Sequence, residues 1–211
     1  MNFLFRSMNR GDSWEKISPD LTYNDKNKLG DIQYQTIFTI SESPLKFGLI
    51  YVGTDDGRVH VTRDSGITWT EITKGLPQGK WVSRLAASAF DLGTVYMTQN
   101  GKRDDDFTAY IWKSTDYGKT WTDISNNIPC GPVNVIREDP KNRNLLYLGT
   151  EYALYVSLNG GKEWKRFMTV LLLAINQAAR HVVLCRAADG LFACFGVPRL
   201  SHWTGERSGY S

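Results

Sequence analysis

One short motif occurs four times along this chain, at residues 7–14, 62–69, 114–121 and 157–164. All four copies fit the pattern S/T-x-D/N-x-G-x-(T/S/E)-W, and their first residues lie 55, 52 and 43 positions apart. A repeat of roughly 20–50 residues is the sequence signature of a propeller or a solenoid, because each repeat is one supersecondary unit that stacks on its neighbours.

Each motif position has a mechanical role in a tight turn between two strands. Asp or Asn accepts backbone N–H hydrogen bonds, Gly permits a positive φ, and Trp presents a large apolar face at the start of the next strand. We therefore interpret these residues as turn clamps and inter-sheet core rather than as catalytic acids and sugar platforms. They are Asn9, Gly11, Trp14, Asp64, Gly66, Trp69, Asp116, Gly118, Trp121, Asn159, Gly161 and Trp164.

The motif resembles the Asp-box (BNR) repeat shared by sialidases, related β-propeller glycosidases and sortilin-like receptors. The wider stretches "YVGTDDGRVHVTRDSGITW", "SRLAASAFDLGTVY" and "GPVNVIREDPKNRNLLYLGTEYALYVSLNGG" are similar to bacterial BNR-repeat glycosyl hydrolases and sortilin-like proteins. The resemblance covers about residues 3–167. It implies a fold more than an activity, because one fold hosts many functions.

Period-2 runs bounded by Gly, Pro and Asp predict four antiparallel strands per repeat, which is the composition of a propeller blade. The predicted strands are 36–43, 49–54, 58–62 and 68–73, then 81–90, 94–99, 109–114 and 120–125, then 133–138, 145–149, 153–157 and 163–167, preceded by an incomplete blade at 3–7 and 13–17. A long turn is predicted at 100–107, between the second and third strands of its repeat, and an inserted loop is predicted at 22–34. We expect an all-β, partial β-propeller of about three and a half blades.

Because closed propellers usually have about 4–8 blades, we expect residues 1–167 to be a segment of a larger propeller. Exposed blade faces and strand edges then predict self-association of the isolated chain. Residues 1–6 lack the basic and apolar segments of a signal peptide, and the apolar run at 170–175 is too short to span a bilayer. Since similar proteins are often exported, the resemblance implies that the full-length protein is exported or periplasmic. No targeting signal is recognised in the given sequence.

Composition changes near residue 168, after which there is no Lys and no further motif copy. We interpret 168–211 as an unrelated or non-native tail in which 168–188 has helical spacing. The tail holds His181, Cys185, Cys194 and His202, but their spacing lacks the close Cys pair that structural zinc sites favour, so no metal site is predicted. The net charge of +3, from 25 basic and 22 acidic residues, argues against a nucleic-acid partner.

Acidic residues follow the second strand of each complete repeat, where propeller turns meet beside the central channel. Two carboxylates roughly 5–9 Å apart would suit glycoside hydrolysis, although Asp-Gly turns also close hairpins for structural reasons. The inner strands add Arg84 and Arg137, which we take to occupy similar places in successive blades, and Trp81. The candidate ligand-binding residues are Asp55, Asp56, Arg58, Trp81, Arg84, Asp104, Asp105, Arg137 and Glu151.

Two functions from different classes fit these observations. The first is a carbohydrate-binding or carbohydrate-processing propeller, supported by the resemblance, the aromatic content and the acidic turns. The second is a sortilin-like propeller that binds peptides, supported by the same fold and by the lack of an assignable set of catalytic residues. A third possibility is a truncated product without activity of its own. The sialidase Arg-Ile-Pro signature and a Tyr–Glu nucleophile pair are absent, so no catalytic residue is assigned, and no cofactor motif is present.

Overall fold

The computed structural model describes residues 2–28 and 34–167, and within them the chain forms four antiparallel sheets with almost no helix. Sheet 1 has two strands and sheets 2, 3 and 4 have four each. Sheet 1 is β1 (Phe5–Arg6) and β2 (Glu15–Lys16); sheet 2 is β3 (Ile37–Glu42), β4 (Ile50–Thr54), β5 (Val59–Thr62) and β6 (Thr70–Glu71). Sheet 3 is β7 (Trp81–Ala87), β8 (Val95–Gly101), β9 (Asp106–Ser114) and β10 (Thr122–Asp123); sheet 4 is β11 (Val133–Glu138), β12 (Leu146–Thr150), β13 (Leu154–Ser157) and β14 (Lys165–Arg166).

The predicted all-β class and the count of three four-stranded blades and one half blade are confirmed. The predicted long turn at 100–107 is wrong, because β8 runs on to Gly101 and β9 starts at Asp106. Gly101 and Asp106 pair across the ladder, and a 3₁₀ turn at Lys102–Asp104 joins them. A second 3₁₀ turn, Lys26–Lys28, lies in the predicted loop. The predictions for 168–211 lie outside the described residues.

The Asp-box forms the predicted clamp, as residues 114–121 illustrate. Asp116 Oδ1 accepts hydrogen bonds from the Thr120 N–H at 2.9 Å and from the Ser114 hydroxyl at 2.8 Å. Ser114 Oγ in turn accepts the Gly118 N–H at 2.8 Å. The same three bonds recur in the other copies, with Asn9 and Asn159 in place of Asp. Donation by Thr120 lowers the pKa of Asp116 to about 2.

The box places Trp against the preceding sheet through one repeated hydrogen bond, here called the Trp–carbonyl contact. In each case the indole N–H donates to the backbone carbonyl of an Ile that directly follows the outer strand of that sheet. The contacts are Trp69 to Ile17 (2.8 Å), Trp121 to Ile72 (2.8 Å) and Trp164 to Ile124 (2.7 Å). Three of the four tryptophans are therefore inter-sheet residues, as predicted.

Trp14 is the exception to that prediction, because its side chain is 65% exposed. Its box is fully formed, with the Ser13 N–H donating to Asn9 Oδ1 at 3.0 Å. The described residues contain no sheet on that side of sheet 1, so none of them packs on the ring as a preceding sheet does in the other copies. Trp14 thus keeps the local role of the motif and lacks its inter-sheet role.

Apolar cores fill the spaces between successive sheets. Leu21 and Val52 are buried between sheets 1 and 2, Val61 and Met97 lie in the core shared by sheets 2 and 3, and Ile136 lies in the core shared by sheets 3 and 4. The inner strands β3, β7 and β11 each carry an irregularity near their first residues, where the pairing register shifts. The inner strands of adjacent sheets pack side by side. This brings together, at one end of the sheets, the turns between the second and third strands of each four-stranded sheet, here called the second turns.

Asp116→Ala is expected to destabilise the fold by about 1 kcal/mol, because the Thr120 N–H loses its acceptor in a partly solvated turn. Asp116→Asn is the matched control, since Asn already fills this position in two boxes. Urea unfolding measures both variants. Equal loss of stability in the two would show that charge, rather than the Oδ1 acceptor, clamps the turn.

Gly118→Ala is expected to cost more than Gly11→Ala, although both glycines have a left-handed φ, +86° and +101°. A Cβ at Gly118 would lie 2.3 Å from Ile72 Cδ1, whereas at Gly11 it would meet nothing nearer than 4.0 Å. The backbone penalty of about 1 kcal/mol applies to both, and overpacking adds about 1–3 kcal/mol at Gly118. Thermal unfolding compares them, and equal losses would contradict the close packing of box against sheet.

Candidate functional site

A cavity of about 390 Å³ lies beside the turn between β4 and β5. Its wall combines two aromatic rings with amide and carboxylate groups, and Asp56 is the one sequence-predicted candidate among them. The lining residues are Tyr23, Asp25, Tyr34, Gln35, Asp56, Gln78 and Gly79. Concave sites with apolar walls and a few fixed polar groups are the usual form of a small-molecule site.

Two buried side chains form the polar part of this cleft and hold its loop. Asp56, 3% exposed, accepts hydrogen bonds from the Thr54 hydroxyl and, at 2.8 Å, from the Tyr23 N–H. Gln35, 1% exposed, donates from Nε2 to the Asp25 carbonyl at 2.8 Å and accepts the Asp25 N–H. These bonds tie the 23–25 segment to sheet 2 and fix the cleft in shape.

Backbone strain is concentrated around the same cleft. Asn24 and Gln35 both have left-handed φ values, 49° and 61°. Each such residue costs on the order of 1–3 kcal/mol and persists only where the surroundings impose it, a situation common at ligand sites. The left-handed backbone conformation of Gln35 is imposed by its two hydrogen bonds to Asp25.

The two tyrosine rings are supported by guanidinium groups. Arg58 lies 5.0 Å from the Tyr23 ring centroid, and Arg103 lies 5.8 Å from that of Tyr34. The Tyr23 hydroxyl donates to Gln78 Oε1 at 3.4 Å. Burial, followed by the nearby carboxylates of which Asp56 is the strongest, raises the pKa of Tyr34. The Tyr34 phenol therefore remains a neutral hydroxyl at physiological pH, able to donate and accept hydrogen bonds.

Arg58 supports the wall of the cleft from behind Tyr23. Its Nη1 donates to the Thr22 carbonyl at 2.7 Å, and its Nη2 forms an ion pair with Glu71 at 2.6 Å. The hydrogen bond that Arg58 donates to Glu71 raises the pKa of Arg58, so the guanidinium stays charged. With these partners Arg58 positions Tyr23, and it does not line the cavity.

Asp55 and Trp81 lie next to the cleft and meet at Arg103. Asp55 is 3% exposed, accepts the Thr36 N–H at 2.6 Å and lies 3.6 Å from Arg103 Nη1. Arg103 also lies 4.9 Å from the Trp81 ring, which packs edge-on against Phe38 at 4.5 Å. Phe38 is 51% exposed, so the two rings form an accessible aromatic surface beside the cleft.

Ion pairs join the second turns of successive sheets. Lys102 lies 2.8 Å from Glu151 and links sheets 3 and 4, and Arg103 lies 3.6 Å from Asp55 and links sheets 2 and 3. Lys80, which precedes β7, lies 3.1 Å from both Asp104 and Asp106 and makes its ion pairs within sheet 3. Asp105 closes the 3₁₀ turn with a left-handed φ of 54° and its N–H donates to the Lys102 carbonyl.

The sequence analysis overlooked the basic partners Lys80, Lys102 and Arg103, and the cleft residues Tyr23, Tyr34 and Gln78. Lys102 and Arg103 directly precede the acidic run 104–106 in the sequence, and that neighbourhood was a usable signal. The cleft residues belong to a polar stretch without periodicity and to a turn, so no sequence pattern marked them.

Arg84 and Arg137 do not occupy equivalent places, which corrects the sequence interpretation. Arg84 pairs with Thr98, whereas Arg137 pairs with Tyr147, the register position of Ala86. Burial first, and the charge of Arg137 second, lower the pKa of Arg84. Neither arginine forms an ion pair within 2–28 and 34–167, and Arg84 Nε is buried without a hydrogen-bond partner.

No group of three or more His, Cys, Asp or Glu is arranged to hold a metal ion among the residues that the structure describes. In the same part of the chain no helix is long and apolar enough to cross a bilayer. The lining of the cleft supplies hydroxyl, amide and carboxylate groups between aromatic rings.

His60 is the buried titratable group behind this end of sheet 2. It is 5% exposed on β5, and its Nδ1 has no hydrogen-bond partner among the described residues. Burial, and then the positive charge of Arg58, lower the pKa of His60 to about 4. The imidazole is thus neutral in the folded protein at physiological pH.

Stability is expected to fall as the pH drops from 6.5 towards 4, because the unfolded chain then binds a proton at His60 that the folded chain excludes. The full loss is on the order of 3 kcal/mol. Urea unfolding across this pH range measures it, with His60→Leu as the comparison. A His60→Leu curve with the same pH dependence as the wild type would contradict the assignment.

Comparison with known proteins confirms the repeat. The model of the BNR-Asp box repeat family matches residues 111–124, which contain the whole of the third motif copy. A probable oligoxyloglucan-reducing end-specific xyloglucanase of Neosartorya fischeri is 27% identical over 168 aligned positions, covering 72% of this chain and 19% of that protein. This chain therefore spans about a fifth of the length of that relative.

Two solved structures are similar in fold. The GH74 xyloglucanase from Xanthomonas campestris is 25% identical with a TM-score of 0.62, covering 80% of this chain and 27% of that one. An ancestral GH74 enzyme is 18% identical with a TM-score of 0.61, covering 81% and 22%. The chain is a β-propeller segment built from the BNR-Asp box repeat and similar to the propellers of glycosyl-hydrolase-type proteins.

Proposed function

We propose that this chain is the part of a carbohydrate-processing propeller protein that binds a glucan oligosaccharide in the cleft between Tyr23 and Tyr34. The observation that carries the proposal is the cleft's composition. Aromatic faces stack on the apolar faces of sugar rings, while neutral hydroxyl and amide groups exchange hydrogen bonds with sugar hydroxyls. The adjoining rings of Phe38 and Trp81 extend the aromatic surface beyond one sugar unit.

The relatives support the choice of ligand class. Those with named substrates act on xyloglucan or its oligosaccharides, so we propose a xyloglucan-type oligosaccharide as the ligand. Hydrolysis is proposed only for the full-length protein, because a glycosidase needs one carboxyl as acid and a second as base or nucleophile. Asp55 and Asp56 are both buried and accept backbone N–H groups of Thr36 and Tyr23 respectively, which favours a positioning role for them.

Xyloglucan oligosaccharide is expected to bind the wild-type chain, and Tyr34→Ala is expected to weaken binding about 3–10-fold through loss of ring stacking. Tyr34→Phe keeps the ring and isolates the hydroxyl. Tyr152→Ala is the matched control, because Tyr152 is 60% exposed and lies outside the cleft. Isothermal titration measures all four proteins.

Three results would contradict the proposal: no binding by a folded wild-type chain, equal binding by Tyr34→Ala, or an equal loss on Tyr152→Ala. Binding of an unstructured peptide at the same cleft, with no binding of oligosaccharide, would instead favour the peptide-binding alternative.

A further inference from the structure

The second turn of sheet 3 carries Arg103 on a backbone that is held in place by several hydrogen bonds. Residues Lys102–Asp104 form a 3₁₀ turn, which Asp105 closes by donating its N–H to the Lys102 carbonyl. The Lys102 N–H in turn donates to Asn100 Oδ1 at 2.9 Å. The inner strand of sheet 3 contacts the inner strands of both sheet 2 and sheet 4, so this turn has a described sheet on either side.

The guanidinium of Arg103 has unused hydrogen-bond donors. Within residues 2–28 and 34–167 it makes no hydrogen bond, and its ion pair with Asp55 spans 3.6 Å. Arg58, which supports the other tyrosine of the cleft, instead donates from Nη1 to the Thr22 carbonyl and from Nε and Nη2 to Glu71. The Arg103 side chain is 42% exposed, so its free N–H groups are open to a ligand.

Arg103 lies between the cleft and the aromatic surface beside it. Its guanidinium carbon is 5.8 Å from the centroid of the Tyr34 ring, which lines the cleft. It is 4.9 Å from the centroid of the Trp81 ring, which packs against the exposed ring of Phe38. A chain of sugar units that extends from the cleft towards Trp81 therefore meets the guanidinium.

The chemistry of this position suits neutral hydroxyl groups. The Asp55 carboxylate, which is buried and accepts the Thr36 N–H, compensates the positive charge of Arg103, so net charge does not select an anion. The planar guanidinium presents parallel N–H groups that fit a pair of neighbouring oxygen atoms. Adjacent hydroxyls on one sugar ring offer such a pair. A lysine ammonium carries the same charge but lacks this fork.

We propose that Arg103 is a specificity-determining residue of the oligosaccharide site, donating a pair of hydrogen bonds to neighbouring hydroxyls of a sugar unit bound between Tyr34 and Trp81. This inference rests on the proposed function, because it extends the same site from sheet 2 to sheet 3. The two arginines beside the tyrosine rings then have different roles. Arg58 positions Tyr23, whereas Arg103 contacts the ligand.

Isothermal titration with xyloglucan heptasaccharide tests the role of Arg103. Arg103→Met is expected to weaken binding about 10-fold through loss of the hydrogen bonds. Arg103→Lys keeps a positive charge beside both rings but loses the fork, so a similar weakening is expected. Lys102→Met is the matched control, because it removes the adjacent charge of the same turn, whose partner is Glu151, and is expected to bind like the wild type. Thermal unfolding checks that every variant is folded.

Wild-type affinity in folded Arg103→Met overturns this inference and leaves the proposed function standing. Wild-type affinity in Arg103→Lys also overturns it, because support of the rings by a positive charge does not require the fork. An equal loss in Lys102→Met overturns it as well, since the effect would then belong to charge in the turn. Absence of binding by the folded wild type overturns the proposed function together with this inference.

Discussion

The hydrogen bond from each box tryptophan to the preceding sheet is the contact on which the array of sheets depends. An Asp or Asn clamp fixes the turn, the turn aims the indole, and the indole N–H reaches a carbonyl at 2.7–2.8 Å. Glycine is required beside it for two reasons, a left-handed φ and the close approach of an Ile from the preceding sheet. Each repeat thus specifies its own turn and its attachment to the sheet before it.

That arrangement explains why so much of the fold was predictable from sequence. The box is local, so its clamp and the strands around it follow from residues within a few positions of one another, and β11 was predicted to the residue. Features that depend on distant neighbours were missed. Trp14 has the full motif but no described sheet packed on it, and Arg84 and Arg137 prove to lie two register positions apart once the strands are paired.

The end of the sheets that carries the second turns combines a cleft of fixed shape with a surface on which acidic side chains are paired with basic ones. Lys80, Lys102 and Arg103 pair with Asp104, Glu151 and Asp55, and the last two of these pairs join neighbouring sheets. The aromatic walls and the buried Asp56 remain as the groups that face an open cavity. Only Asp56 was predicted, because the remaining lining residues converge through the fold of an aperiodic segment. This division between structural acids and an aromatic cleft underlies the proposed oligosaccharide site.

The most direct test of the account compares removal of the indole N–H where it is bonded with removal where it is not. Trp121→Phe deletes the donor to the Ile72 carbonyl, while Trp14→Phe deletes a donor that no described residue accepts. Urea unfolding at a concentration that keeps the chain monomeric is expected to show a loss of about 1–2 kcal/mol for Trp121→Phe and almost none for Trp14→Phe. Equal losses in the two variants would contradict the claim that the Trp–carbonyl contact joins the sheets.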